Sequence, residues 1–262
     1  MELLTSRKNP KIIELENLLT RKKNRNPSLF ACEGARLCED AIRAGLVPEV
    51  VYITEKAQMR YHDIAVLLRG AARESYKICE SLAGRISDTE NPQGVFAVFK
   101  RLDNTAQVVK IVRDGKYLLL AGLQDPGNMG TILRVAEALA LDGVFYDESC
   151  PDVYSPKVMR ASMGGMFRLK HERRDMEETI EMLRKAGVCV WAAALTPDAE
   201  DLRPGLLSGG TAVLIGNEGA GLPESLISCC GAAIKIPMQG TVESLNAATA
   251  AAIFAWELAK TM

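Results

Sequence analysis

"LIGNEGAGLPESL", residues 214–226, completes an apolar segment and continues into three glycines with a single carboxylate, Glu218, among them. Glycines at 216, 219 and 221 let main-chain N–H and C=O groups approach a flat ligand closely, because no Cβ stands in the way. Such a site recognises its ligand by shape and by main-chain hydrogen bonds. The stretch therefore predicts a ligand-binding loop directly after a buried strand.

The surrounding chain places this loop in a parallel sheet. From residue 117 onward, helical stretches such as 130–141 and 244–260 separate five apolar segments: YLLLAGL, GVFYDE, VCVWAAAL, TAVLIG and AAIKIPM. Continuous apolar strands between helices predict an α/β fold with a parallel sheet covered on both faces. Ligands bind at the carboxyl ends of such strands. Three loops of unusual composition follow there: QDPGNMGTILR, NEGAGLPES and MQGTVESLNAATAAA.

The first hundred residues form a separate predicted unit. Helix-like segments alternate with the strand-like segments SLFACEG, PEVVYIT and GVFAVFK, which indicates a compact α/β domain over residues 1–100. Residues 101–116 are polar and weakly patterned, and we interpret them as a linker or connecting strand. The second domain is predicted over residues 117–262.

Composition limits the class of protein. A chain of 262 residues that is 48% hydrophobic can bury a sizeable core. It has no apolar run of the roughly 20 residues that a membrane span needs, and its start lacks the apolar segment of a signal peptide, so we expect a cytoplasmic protein with no membrane partner. Seven scattered cysteines without a C-x-x-C pair and only two histidines disfavour disulfides, a metal site and histidine-based catalysis.

Positive charge is concentrated in two stretches although the net charge is −1. Residues 1–26 carry seven basic side chains against three acidic ones, and residues 156–174 carry six against one. Such patches can hold phosphates even on a neutral protein. A solvated surface is the alternative interpretation. The candidate nucleic-acid contacts are Arg21, Lys22, Lys23, Arg25, Arg160 and Arg168.

The common nucleotide-binding fingerprints are absent from the glycine loop. A G-x-G-x-x-G pattern could begin only at Gly219, where the third glycine is missing and Pro223 interrupts the expected helix start. No G-x-x-x-x-G-K-[ST] occurs in the chain. The sequence therefore disfavours a Rossmann oxidoreductase.

Three segments in order, DPGNMGTILR, LIGNEGAGL and IPMQGTVESLNAATAAAI, resemble the motifs of the SpoU (TrmH-type) RNA ribose 2′-O-methyltransferases of the SPOUT superfamily. SPKVMRASMGGMFRL is similar to a further segment of that family. The first hundred residues, with ACEGARLCEDAIRAG, resemble its substrate-binding domain through Glu33, Gly34 and the helix that follows. The resemblance covers both predicted domains.

The resemblance implies a homodimer with a carboxyl-terminal trefoil-knotted SPOUT domain and a smaller amino-terminal α/β domain that is ribosomal-protein-like. It also implies S-adenosyl-L-methionine as the cofactor and a ribose 2′-hydroxyl of structured RNA as the substrate. The cofactor-binding residues that it implies are Gly216, Ile236, Met238 and Leu245. The catalytic residues that it implies are Asn128, Arg134, Glu218, Ser244 and Asn246.

Physical chemistry refines the expected role of two of these residues. A guanidinium is almost never deprotonated in a protein and is therefore a poor base, so we expect Arg134 to clamp RNA phosphate and to stabilise the developing alkoxide. Glu218 is the better-suited proton acceptor if a side chain serves at all. The alternatives are an Arg134–Glu137 ion pair on one helix and a structural Glu218 that binds backbone N–H groups.

The sequence leaves two helix ends and the RNA target open. Asn128 and Ser244 are also candidates for helix N-caps. An amino-terminal domain of this size favours a large-subunit ribosomal RNA target over transfer RNA. A non-catalytic RNA-binding protein of the same fold would belong to a different functional class, and the intact catalytic motif residues argue against it.

Overall fold

A computed structural model describes residues 1–20, 26–87, 89, 91–102, 108–242 and 244–260. The predicted phosphate contacts Arg21, Lys22, Lys23 and Arg25 lie outside these ranges. Contacts divide the chain into two compact units. The amino-terminal unit comprises residues 1–102 and 154–167, and the carboxyl-terminal unit comprises residues 103–153 and 168–262.

The amino-terminal unit is built on a mixed five-stranded sheet of order β1-β4-β3-β5-β2. Its strands are β1 Glu2–Leu4, β2 Leu29–Glu33, β3 Pro48–Ile53, β4 Glu74–Ile78 and β5 Val95–Lys100. Its first five helices are α1 Pro10–Thr20, α2 Ala35–Arg43, α3 Glu55–Arg60, α4 His62–Ala71 and α5 Glu80–Ile86. Strand β5 pairs antiparallel with both β2 and β3, whereas β4 pairs parallel with β1 and β3. One core cluster of this unit includes Leu15, Tyr52 and Phe96.

The carboxyl-terminal unit contains a seven-stranded sheet of order β10-β12-β9-β11-β6-β7-β8 in which every pairing is parallel. Its strands are β6 Lys116–Leu120, β7 Gly143–Tyr146, β8 His171–Arg173, β9 Cys189–Ala193, β10 Glu200–Asp201, β11 Thr211–Ile215 and β12 Ala232–Lys235. Its helices are α6 Pro126–Ala138, α8 Met176–Lys185, α9 Glu224–Cys229 and α10 Ala247–Ala259. Every residue of β6 and β11 is buried, as expected for central strands covered on both faces.

Residues 154–167 complete the amino-terminal unit although they come much later in the chain. They form helix α7, Pro156–Ser162, and a 3₁₀ turn, Gly165–Phe167. Phe30 of β2 packs against Tyr154 and Phe167, with ring centroids 4.8 Å and 6.0 Å away. Met159 is fully buried, and its sulfur lies 4.0 Å from that of Cys32. Aromatic and sulfur packing therefore attaches the segment to β2.

The α/β class and the parallel sheet of the second domain are confirmed. Helix α6 begins four residues before the predicted start at residue 130, because Asp125 accepts hydrogen bonds from the first turn and Pro126 occupies its first position. In the segment predicted to be a linker, residues 101 and 102 belong to the amino-terminal unit, residues 108–115 form a loop of the carboxyl-terminal unit, and Lys116 begins β6. There Val109 is 5% exposed, and the Tyr117 hydroxyl donates to Lys110 O and accepts from Val112 N.

None of the helices within the described ranges is long and apolar enough to cross a membrane. No group of three or more His, Cys, Asp or Glu side chains among the described residues could hold a metal ion.

Candidate active site

A cavity of about 460 Å³ lies beyond the carboxyl ends of β9, β11 and β12. Its volume is in the range of small-molecule sites. The residues predicted to bind the cofactor, Gly216, Ile236, Met238 and Leu245, all line it. Two predicted catalytic residues, Glu218 and Ser244, line it as well. The structure thus gathers two of the three predicted loops around one cavity.

The glycine loop closes on itself. A Cβ on Gly216 would lie 2.6 Å from the carbonyl carbon and oxygen of Gly221, which has a left-handed φ of +70°. Asn217 and Gly221 exchange two backbone hydrogen bonds of 3.0 Å. The Asn217 side chain also accepts from Gly219 N and Ala220 N and donates to Gly122 O. Gly216 therefore makes room for the loop's own backbone, which refines the expectation that it makes room for the ligand.

Glu218 connects the glycine loop to the first predicted loop. Its carboxylate accepts hydrogen bonds from Gln124 N at 3.0 Å, Asp125 N at 3.1 Å and Asn128 Nδ2 at 2.9 Å. Partial burial favours the neutral carboxyl, but the hydrogen bonds from Asn128 and the backbone outweigh it and hold the pKa of Glu218 below its usual value. The carboxylate is therefore ionised and oriented.

Asn128 and Asn246 extend this connection to the third predicted loop. Asn246 Nδ2 donates to Asn128 Oδ1 at 3.0 Å, and Asn128 Nδ2 donates to Glu218. Asn246 Oδ1 meanwhile accepts from Ala248 N and Thr249 N at the start of α10. Hydrogen-bond donors and acceptors alternate from Asn246 through Asn128 to Glu218, so each side-chain amide is fixed in one orientation. We call Asn246, Asn128 and Glu218 the three-motif relay.

The N-terminal residues of α6 and α10, which lie beside the relay, correct two N-cap interpretations of the sequence. Asp125, and not Asn128, caps α6, since its Oδ1 accepts from Asn128 N at 3.0 Å. Asn246, and not Ser244, caps α10. Ser244 is exposed at the cavity. The N-cap interpretations of Asn128 and Ser244 are therefore wrong.

Arg134 is exposed on α6 and does not line the cavity. It makes no hydrogen bond or ion pair with any described residue. Glu137 instead accepts from Arg168 Nε at 2.7 Å, so the alternative Arg134–Glu137 ion pair is wrong. The Arg134 guanidinium is thus available to a charged ligand.

The two remaining candidate phosphate contacts belong to different units. Arg168 lies in the carboxyl-terminal unit and pairs with Glu137. Arg160 lies on α7 in the amino-terminal unit, where it lines a second cavity.

Thr196 is a cavity residue that the sequence patterns did not single out. It follows β9, lines the cavity, and its buried Oγ1 has no hydrogen-bond partner among the described residues. Its position beyond the carboxyl end of VCVWAAAL was the available signal, because ligands bind at the carboxyl ends of parallel strands whatever the composition of the loop.

Comparisons with known proteins agree with this geometry. An AdoMet-bound rRNA methyltransferase from Sinorhizobium meliloti is similar in structure, with a TM-score of 0.87 at 29% identity over 100% of this chain and 98% of that one. The SpoU methyltransferase AviRb from Streptomyces viridochromogenes, solved with AdoMet, has a TM-score of 0.81 at 26% identity and covers 96% and 98% of the two chains. Both of these solved proteins are methyltransferases that bind S-adenosylmethionine.

The chain belongs to the SpoU rRNA Methylase family, whose model matches residues 115–256. The MRM3-like substrate binding domain matches residues 9–97. Among curated relatives, the 23S rRNA (guanosine(2553)-2′-O)-methyltransferase RlmP of Bacillus subtilis is 30% identical over 98% of this chain and 99% of its own length. The 23S rRNA (uridine(2479)-2′-O)-methyltransferase of Streptomyces viridochromogenes is 30% identical over 73% and 69%.

Proposed function

We propose that this protein transfers the methyl group of S-adenosyl-L-methionine to a ribose 2′-hydroxyl of large-subunit ribosomal RNA. The three-motif relay carries the proposal, because it joins all three predicted loops beside a cavity of cofactor size. The names of the Bacillus and Streptomyces relatives support the RNA class and the reaction. A ribosomal substrate also supports a cytoplasmic location.

The lining of the cavity fits this cofactor. Ile236 and Leu245 offer apolar surface for an adenine ring, and the backbone of the glycine loop forms part of the cavity wall. Met238 adds further apolar surface, and the Thr196 hydroxyl offers a hydrogen bond. When bound, the cofactor supplies a methyl group on a positively charged sulfur. The residues of this chain hold it in place and align it with the ribose oxygen.

Arg134 binds the RNA in this proposal. Its exposed guanidinium has no partner among the described residues, so it can contact a phosphate without first breaking an ion pair. Its positive charge allows it to stabilise negative charge that develops on the attacking oxygen. Arg134 therefore positions the substrate and stabilises charge, and it does not remove the proton.

Glu218 orients the site in this proposal. Its low pKa makes it a weaker base than an ordinary glutamate, and its three donors come from the first loop. Removing these hydrogen bonds would separate the glycine loop from the start of α6. The structural alternative for Glu218 is therefore favoured over proton acceptance.

The resemblance also supports a trefoil knot and a homodimer. Strand β11 lies between β6 and β9, and α10 returns to pack on α6, β6 and β11, which is compatible with a chain that re-enters its own fold. Trp256 of α10 is 54% exposed in the single chain. An exposed tryptophan on a helix rich in small residues suits burial against a second copy.

Mapping of 2′-O-methyl groups tests the proposed function. RNA from cells that lack the protein should lose a methylated ribose in large-subunit RNA, and wild-type protein, but not Arg134→Ala, should restore it. Loss of a mark from transfer RNA instead would identify a transfer RNA enzyme. An unchanged methylation map would favour a non-catalytic RNA-binding protein.

A further inference from the structure

The amino-terminal unit contains a second cavity, of about 690 Å³, that the reaction proposed above does not use. It is lined by the start of α2, the loop before β5 and the end of α7. Every lining residue belongs to the amino-terminal unit. We call this cavity the α2 pocket.

Several hydrogen-bond donors line the α2 pocket. Arg36 is exposed and has no hydrogen bond or ion pair with the residues that the structure describes. Gln93 Oε1 accepts from Ala35 N at 2.9 Å, which fixes the amide and leaves its Nε2 without a recorded partner in the described chain. The exposed Asn91 side chain likewise has no hydrogen-bond partner among the described residues. The Arg160 side chain adds a second guanidinium to the lining.

The pocket also presents an ordered acceptor and apolar surface. Glu33 is 7% exposed, and its Oε1 accepts from the hydroxyls of Ser87 and Thr89, the latter at 2.8 Å. These hydroxyls fix the carboxylate in place. Leu37 and Met163 contribute apolar side chains, of which Met163 is 55% exposed. Asp40 and Glu39, the latter ion-paired with Arg43, also line the pocket, so donors, several acceptors and apolar surface share one cavity.

The backbone at the end of α7 is constrained where it borders the pocket. Met163 has a φ of +49°, a left-handed conformation that costs energy in a residue with a side chain. Gly164 follows with a φ of +74°, and a Cβ there would lie 2.7 Å from Asp40 Oδ2. Gly164 thus lies close to α2, directly after the strained Met163 at the border of the pocket.

We propose that the α2 pocket holds one unstacked nucleotide of the substrate RNA, distinct from the nucleotide that is methylated. Proteins read unpaired RNA by packing bases on apolar or guanidinium groups and by hydrogen-bonding the base edges. The side-chain amides of Asn91 and Gln93 and the ordered carboxylate suit a base edge, the apolar side chains suit its face, and Arg36 suits its phosphate. This inference rests on the proposed function, because it takes RNA as the substrate.

Two substitutions test the pocket in the full-length protein. The side chains of Arg36 and Asn91 make no hydrogen bond or ion pair with the described residues, so Arg36→Gln and Asn91→Ala should preserve folding. Arg60→Gln on α3 is the charge-matched control, because Arg60 is exposed and lies outside the pocket. The measurement is methyl transfer from radiolabelled S-adenosylmethionine to protein-free large-subunit ribosomal RNA from cells that lack the enzyme.

For each pocket variant, the KM for RNA should rise about 5- to 20-fold, the scale of one specific nucleotide contact. The value of kcat and the affinity for S-adenosylmethionine should stay within about twofold of wild type, as should every parameter of Arg60→Gln. The dependence of RNA affinity on salt should weaken for Arg36→Gln and stay unchanged for Asn91→Ala, which removes no charge.

Wild-type RNA kinetics in both pocket variants would overturn this inference and leave the proposed function intact. A loss seen only with ribosomal particles, and not with protein-free RNA, would identify a protein as the occupant and also overturn it. Absence of methyl transfer by the wild-type enzyme to both protein-free RNA and ribosomal particles would instead contradict the proposed function itself.

Discussion

Glu218 shows how three hydrogen bonds limit what one carboxylate can do. Because its folded-state pKa is lowered, its hydrogen bonds stabilise the fold above the ordinary glutamate pKa of about 4.3. This contribution is lost as pH falls through the lower folded-state value. Affinity for S-adenosylmethionine should therefore be constant from about pH 6 to 8. Calorimetric titration over this range checks it, and a transition near neutrality that Glu218→Gln abolishes would contradict it.

Arg134 is expected to separate substrate handling from cofactor binding. The Arg134→Ala variant should bind S-adenosylmethionine with wild-type affinity, because Arg134 does not line the cavity. Its methyl-transfer rate should fall by roughly 10²-fold, the scale of one lost charge-stabilising group. Single-turnover rates at saturating cofactor measure the effect, with Arg134→Lys as the charge-conserving control. An equal loss of cofactor affinity would move Arg134 into the cofactor site.

Thr196 should contribute to cofactor affinity through its buried hydroxyl. The Thr196→Val variant keeps the shape of the side chain and removes the hydroxyl, so affinity for S-adenosylmethionine should fall about 3- to 10-fold. Thr196→Ser retains the hydroxyl and should bind within about twofold of wild type. Calorimetry distinguishes the two, and equal affinity of Thr196→Val and wild type would exclude a hydrogen bond to the cofactor.

At the scale of secondary-structure elements, side chains at the starts of α6 and α10 have two roles: they stabilise the fold and they belong to the candidate active site. Asn246 caps α10 and donates to Asn128. Asn246→Asp preserves the capping oxygen but cannot donate to Asn128, whereas Asn246→Ala loses both interactions. Thermal unfolding should show a loss of about 1 kcal/mol for Ala and little for Asp. Both should lose activity, and an active Asp variant would show that the relay is dispensable.

The sequence predicted the ligand-binding edge of the sheet more accurately than it predicted the first residues of these helices. Apolar strands identified the edge of the sheet, and the resemblance supplied the cofactor and the roles of the motif residues. Asp125 and Pro126 are residue types typical of a helix start, but the apolar periodicity placed the start of α6 at residue 130. The Arg168–Glu137 ion pair had no such signal, because 31 residues separate the partners and only tertiary folding joins them.

For the whole molecule, we expect a homodimer that buries Trp256. Sedimentation should show a dimer at micromolar concentration, and Trp256→Glu should shift it toward monomer because a charge would enter an apolar interface. Arg85→Glu, an exposed site on α5, is the control and should remain dimeric. A wild-type monomer would contradict the expectation.

The grouping of residues 154–167 with the amino-terminal unit could not be predicted from the sequence. Sequence patterns place boundaries between contiguous stretches, and SPKVMRASMGGMFRL lies well inside the stretch predicted as the second domain. Its attachment depends on the side chains of Phe30, Tyr154 and Phe167, which become neighbours only in the folded chain.

This attachment orders events during synthesis on the ribosome. Cys32 and Met159, which pack together, are 127 residues apart in the chain. Strand β2 is therefore translated long before its apolar partners Tyr154, Met159 and Phe167 leave the exit tunnel. Until then, part of the amino-terminal core is open to solvent, although its five strands are already available for pairing. The nascent chain thus exposes an apolar patch around Phe30 until these partners emerge.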